Sequence, residues 1–196
     1  MTFNVLLTGV GGEGVLITSV IVARAAAIEG YKISGTQLHG LAQRGGSIPT
    51  HVRFGKEAYS PIIPRGQADL ILGLEPVESA RSCYFATKQR TNFVVDTYPL
   101  VPVYTSLHGQ KYPTTEQIRK MIEPFAKKVI MADTSHICEQ KLGNPIYGNV
   151  MAIGVALANG FLPLSKKSVL EAIKNSVRHG LDKNMEAFRM GMEYRD

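Results

Sequence analysis

FNVLLTGVGGEGVLITSVIVARAAAI, residues 3 to 28, decides the fold. FNVLLTGV, residues 3 to 10, is a short apolar run ended by glycines, and the Ala-, Leu- and Ile-rich stretch after it has helical length. The order is therefore strand, glycine turn, helix. The helical stretch carries Arg24 and falls short of the roughly 20 apolar residues a bilayer span needs. Gly30 stops the helix. YKISGTQ at 31 to 37 reads as a second strand parallel to the first, reached by a right-handed crossover.

Further along, SIPTHVRFG at 47 to 55 places Ile48, Thr50, Val52 and Phe54 on one face of a strand and Pro49, His51 and Arg53 on the other. Pro49 marks the beginning or edge of that strand. Three more apolar runs follow, ADLILGLEP at 68 to 76, TNFVVDT at 91 to 97 and KVIMAD at 128 to 133, and each ends in an acid or a turn. Helices are predicted over 76–88, over 114–127 with a kink at Pro124, over 147–159, over 165–179 with Ser165 as N-cap, and over 181–195. Strands alternating with helices predict a three-layer α/β/α sandwich with a mainly parallel, Rossmann-like sheet. The 196 residues suit a single domain spanning 1–196.

Composition narrows the functional classes. Hydrophobic residues make up 44% and charged residues 19%, as in an ordinary globular chain. The formal charge is +6, and Lys32, Arg44, Arg53, Lys56 and Arg65 face only Glu57 within that stretch. There is no Lys/Arg block and no nucleic-acid reading motif, which argues against a nucleic-acid partner. Two cysteines, Cys83 and Cys138, cannot ligate a four-thiolate cluster. The five histidines have no metal-ligand spacing, so no metal is expected in this chain. Without a basic n-region and h-region ahead of FNVLLTGV, a cytoplasmic location is expected.

Gly9, Gly11 and Gly14 have G-x-G-x-x-G spacing between strand and helix, where backbone N–H groups can cradle a phosphate. A dinucleotide site also wants an acid about 20 residues on to hold the ribose, and nothing acidic lies between Glu29 and Glu57. Gly12 and Glu13 complete the turn, and a carboxylate there opposes a pyrophosphate. A second stretch, HGLAQRGGSIPTHVRFG at 39 to 55, carries the other polar candidates. Gly40, Gly45 and Gly46 let a backbone approach another surface closely, while His39, Gln43, Arg44 and Ser47 supply polar groups around them. Arg44 can bind a carboxylate or phosphate through two parallel hydrogen bonds. His39 is the candidate proton-sharing group. Hydrogen bonding within a folded loop is the competing explanation for all of these side chains.

GVGGEG at 9 to 14, followed about thirty residues later by HGLAQRGGSIPTHVRFG, resembles the small subunit of 2-oxoacid:ferredoxin oxidoreductases, the gamma-type domain, with the beta subunit of the indolepyruvate enzymes as the nearest branch. The similarity runs over nearly the whole chain and includes GNVMAIGVALANGFLPLSKKSVLEAI at 148 to 173. It departs at Glu13, where the family usually shows glutamine. The resemblance implies CoA-dependent oxidative decarboxylation of an aryl 2-oxo acid in a complex of two subunit types. It implies a large subunit holding thiamine diphosphate, Mg²⁺ and [4Fe–4S] clusters, with ferredoxin as electron acceptor. This chain would bind none of these cofactors alone. Its glycine turn and the 39–47 segment would line a cofactor or an interface. The corresponding gamma subunit of a pyruvate or 2-oxoglutarate enzyme, a structural or regulatory subunit, and a free-standing dinucleotide-binding protein are the alternatives.

Overall fold

The computed structural model describes residues 2–37, 46–100 and 111–195. Six strands form one sheet: β1 (Thr2–Val10), β2 (Ile33–Gln37), β3 (Ser47–Gly55), β4 (Leu70–Gly73), β5 (Asn92–Asp96) and β6 (Lys128–Ala132). Their order is β2-β3-β1-β4-β5-β6. β1, β4, β5 and β6 are parallel neighbours, and β3 runs antiparallel to both β1 and β2. β2 thus points along β1 as the sequence predicts, but β3 lies between them.

The helices are α1 (Val15–Ile28), α2 (Pro76–Arg81), α3 (Thr115–Ile122), α4 (Thr134–Leu142), α5 (Gly148–Ala158), α6 (Lys166–Ser176) and α7 (Leu181–Glu193). Alternate strand residues feed two cores, because successive side chains of a strand point to opposite faces. Val5, Leu7, Leu70, Leu72 and Val94 pack with residues of α1, α5, α6 and α7. Leu6, Ile71, Phe93 and Val95 pack with Ile118 and Ile122 of α3, and Val77 and Ala80 of α2 lie against them. Helices on both faces leave β4 buried along its whole length, which is why LILG shows no polar alternation. The three-layer sandwich follows.

Several boundaries differ from the sequence reading for local reasons. The helix expected over 76–88 ends at Arg81 and tightens into a 3-10 turn at Ser82–Phe85. In the segment expected to kink at Pro124, α3 stops at Ile122 and Glu123–Phe125 is a 3-10 turn, since proline offers no N–H to continue the α pattern. Ser165 caps α6 by accepting from Ser168 N at 3.1 Å, as expected. Helix α4 was not foreseen. It begins directly after β6 and ends at Gly143, whose φ is 80°.

Pro49 does sit near the start of its strand, but β3 is an interior strand and not an edge. Pro49 pairs with Thr8 and lies one residue beyond Gln37–Thr50, the last pair with β2. The same interior position buries His51, assigned to the polar face, to 0% exposure. Its Nδ1 accepts from Ile63 N at 3.2 Å and its ring meets Phe85 edge-on at 5.1 Å. Burial pushes its pKa below the usual 6.5, and the nearby Arg53 charge adds to this.

With the folded value depressed, the unfolded chain takes up the His51 proton first. The stability contributed by neutral His51 is full above about pH 6.5 and is lost as the pH falls toward the depressed value. A urea-denaturation series from pH 8 to pH 5 is expected to show this loss. His51→Gln, which keeps an acceptor for Ile63 N–H but does not titrate, is expected to flatten that part of the curve.

Candidate functional site at the carboxyl edge of the sheet

α1 leaves β1 toward one face and α2 leaves β4 toward the other, so the connections diverge between two adjacent parallel strands. In open α/β sheets such a divergence opens a crevice beyond the carboxyl ends of the strands, where ligands bind. The glycine turn is at this point. A Cβ on Gly9 would lie 2.9 Å from Val15 Cγ2 and 3.3 Å from Leu74 Cβ, so only glycine lets the two strand exits run this close. Gly12 and Gly14 have φ of 97° and 80°, the left-handed region that favours glycine.

Three hydrogen bonds hold the turn. Glu13 N donates to Val10 O at 3.2 Å, closing it. Asn149 Nδ2, from the first turn of α5, donates to Glu13 O at 2.5 Å. Gly11 N donates to Gly46 O at 2.9 Å. This last bond joins the two sequence motifs, and the β1–β3 register sets Ser47 opposite Val10. Gly9, Gly11, Gly12, Gly14, Gly46 and Ser47 therefore share one edge of the molecule. His39, Gly40, Gln43, Arg44 and Gly45 lie outside the described residues. The chain leaves the described structure at Gln37 and re-enters it at Gly46, both at the carboxyl edge.

Residues that the sequence did not single out complete this edge. Glu75, just past β4, is 2% exposed. It accepts from Tyr112 OH through Oε1 and from Glu78 N at 2.8 Å through Oε2. Burial pushes its carboxyl above the usual range, against the opposing effect of these hydrogen bonds. The Tyr112 hydroxyl is raised as well, by burial and by its bond to Glu75. Glu78 is 8% exposed, and its Oε2 has no hydrogen-bond partner among the described residues. Beyond β5, Asp96 is fully buried and accepts from Ser135 N at 3.2 Å, from the Ser135 hydroxyl, and from Tyr98 N. Burial raises its carboxyl too. The sequence signal for Glu75 and Asp96 was present, since the runs they close end in acids. Asn149 and Tyr112 had no local signal, because each acts across the fold.

The edge offers backbone amides, buried carboxyls held toward their protonated forms, and a tyrosine hydroxyl. No cluster of three His, Cys, Asp or Glu side chains converges among the described residues. Burial pushes the Cys83 thiol up to about 11 and the Cys138 thiol up to about 12, so neither is a thiolate at neutral pH. These residues do not fit an iron–sulfur cluster. The edge can bind, orient and exclude water.

Residues 4–194 match the family described as Pyruvate ferredoxin/flavodoxin oxidoreductase. The chain belongs to that family. A relative from Thermococcus kodakarensis, the indolepyruvate oxidoreductase subunit IorB, is 35% identical over 97% of this chain and 95% of its own length. The 2-oxoglutarate synthase subunit KorC of Methanothermobacter marburgensis is 26% identical over 98% of this chain and 96% of its own length. In fold, the chain is similar to the keto/oxoacid ferredoxin oxidoreductase gamma subunit of Geobacter sulfurreducens, with a TM-score of 0.67 and 23% identity over 97% and 96% of the two chains. The family is one of oxidoreductase subunits, and this chain is a subunit of such an enzyme. No described helix is long and apolar enough to cross a membrane.

Asn149 is 5% exposed, and its amide is the group that ties α5 to the glycine turn. Asn149→Ala would leave the Glu13 carbonyl without this donor. It is expected to cost about 1–3 kcal/mol in urea denaturation and to speed hydrogen exchange at the amides of Gly11 to Gly14. For Glu75 the sign is opposite to that of His51. A folded pKa above 4.5 means that stability falls as the pH rises through the window between 4.5 and the raised value. Glu75→Gln is therefore expected to unfold at an equal or higher urea midpoint at pH 7, and to narrow the difference between midpoints at pH 5 and pH 7.

Proposed function

We propose that this chain is the cluster-free small subunit of a ferredoxin-dependent arylpyruvate oxidoreductase, with indolepyruvate as the favoured substrate type. The complex would oxidatively decarboxylate a 2-oxo acid to its acyl-CoA in the cytoplasm. A large partner would carry thiamine diphosphate, Mg²⁺ and the [4Fe–4S] clusters. The chain works as one domain, and its part is geometric: the glycine turn and the 39–47 segment, whose Gly46 meets the turn, would abut the partner, line the reacting centre and exclude water. The observation that carries this reading is the Gly11 N–H to Gly46 O bond, which sets the two motifs side by side at the crevice between β1 and β4. The higher identity to an indolepyruvate oxidoreductase subunit, 35% against 26% for a 2-oxoglutarate synthase subunit, supports the aryl substrate over the alternative gamma-subunit roles. Arg44 would pair with a carboxylate or phosphate at that interface. His39 would share a proton there.

Two measurements test the proposal. This chain is expected to co-purify with a large, cysteine-rich partner, and withholding it is expected to abolish indolepyruvate-dependent ferredoxin reduction; full activity of the large chain alone overturns the reading. In the assembled complex, Arg44→Ala and His39→Ala are expected to lower turnover by about tenfold or more each with assembly intact, the range for positioned polar groups at a reacting centre. Unchanged turnover would make the subunit purely structural.

A further inference from the structure

A groove of about 700 Å³ opens beside the glycine turn, between α1, the start of α5 and the connection from α6 to α7. Leu16, Ile17, Val20, Ile146, Val150 and Val177 give it apolar walls. Leu16 is 54% and Ile146 41% exposed, a cost in water that a ligand would relieve. Tyr147, Asn149, Ser176, Arg178, His179 and Asn184 supply its polar lining. The Ser176 hydroxyl, at the groove, is buried without a hydrogen-bond partner among the described residues. Arg178 and His179 belong to this lining, and Arg178 makes no ion pair with any described acid.

A cleft at the opposite edge of the sheet has a different character. It measures about 860 Å³ and lies at the amino ends of the strands, where its cations are already answered. Arg90 binds both oxygens of Asp69, at 2.6 and 3.0 Å, and Arg53 donates to Asn4 Oδ1 at 2.8 Å. Its guanidinium groups are thus already engaged within the fold. The groove beside the glycine turn combines an apolar body, a size within the roughly 300–1,000 Å³ of small-molecule sites, an unanswered guanidinium and an unpaired hydroxyl.

We infer that this groove binds a small aryl carboxylate, with the ring against Ile17, Val20 and Val150 and the carboxylate on Arg178. A guanidinium presents two parallel N–H donors to a carboxylate, and the Ser176 hydroxyl donates or accepts once more. The choice of an aryl acid over other apolar anions rests on the function proposed above; the shape and charge of the groove do not. Gly14 and Asn149 belong to both the glycine turn and the groove, so an occupant would touch the structure that faces the reacting centre.

The chain contains no tryptophan, so indole fluorescence reports on an indole ligand alone. Indole-3-acetate titrated with the full chain is expected to show a saturable rise in anisotropy at or below about 1 mM. The neutral indole-3-acetamide is expected to bind about three- to fivefold more weakly, and Arg178→Gln to erase that difference. Leu16→Glu, at an exposed position that folding tolerates, is expected to weaken the acid by about tenfold or more by adding a like charge at the apolar wall. Absence of binding up to about 10 mM, equal binding of acid and amide, or an unaffected Leu16→Glu variant overturns the inference. So does loss of indole-3-acetate when the large subunit is added, which would make the groove a seat for that subunit. Ferredoxin reduction by the reconstituted complex is measured in parallel: a chain that supports turnover but binds no aryl acid refutes the groove alone, and a chain that binds the acid but supports no turnover refutes the proposed function alone.

Discussion

The bond from Asn149 Nδ2 to the Glu13 carbonyl can form only because residue 14 has no side chain. A Cβ on Gly14 would stand 2.8 Å from that same nitrogen, and the φ of 80° is unfavourable for any residue that carries one. With glycine there, α5 closes directly on the turn between β1 and α1. That closure fixes where the turn's amides point, and it places Gly11 N–H within 2.9 Å of Gly46 O. The start of β3 is thereby set at the carboxyl edge of the sheet. Any ligand or partner meeting the turn meets Gly46 and Ser47 as well.

Asn149 is held in turn by a contact that also excludes side chains. A Cβ on Gly148 would lie 2.5 Å from both Cα and Oγ of Ser135, so the start of α5 rests on the start of α4 with no atom between. Ser135 is anchored by its N–H and hydroxyl on Asp96 at the end of β5. On the other side α5 crosses α7 with similar closeness, where a Cβ on Gly154 would lie 2.5 Å from Phe188 O. Asp96, Ser135, Gly148, Asn149 and Glu13 thus form one physical line from the carboxyl end of β5 to the glycine turn. Interiors packed this closely transmit displacement instead of absorbing it.

The parts of this arrangement that were legible in the sequence are those governed by short-range pattern. Strand, glycine turn and helix over 3–28 needed only periodicity and two or three glycines. The buried runs ending at Glu75 and Asp96 were legible as strands because helices on both faces demand unbroken apolar sequence. Reading the edge itself required knowledge of what lies across the sheet. His51 looked like a polar-face residue because alternation assumes one wet face, and β3 has none. Asn149 and Tyr112 act over separations of 136 and 37 residues, for which no local spacing exists. Helix α4 carries little amphipathic pattern of its own; its place comes from Asp96 receiving its first turn and from Cys138, buried with Met151 and Ala187 between α4, α5 and α7.

Burial sets the titration of the groups in the interior. The two thiols are raised to about 11 and about 12, His51 is depressed, and Glu75 and Asp96 are raised, with burial the leading cause in each case. A thiolate or a bound metal in that interior would have to be stabilised against the same desolvation, and no described cluster of ligands is present to do so. The chain's formal net charge of +6 favours attraction of acidic groups on a partner.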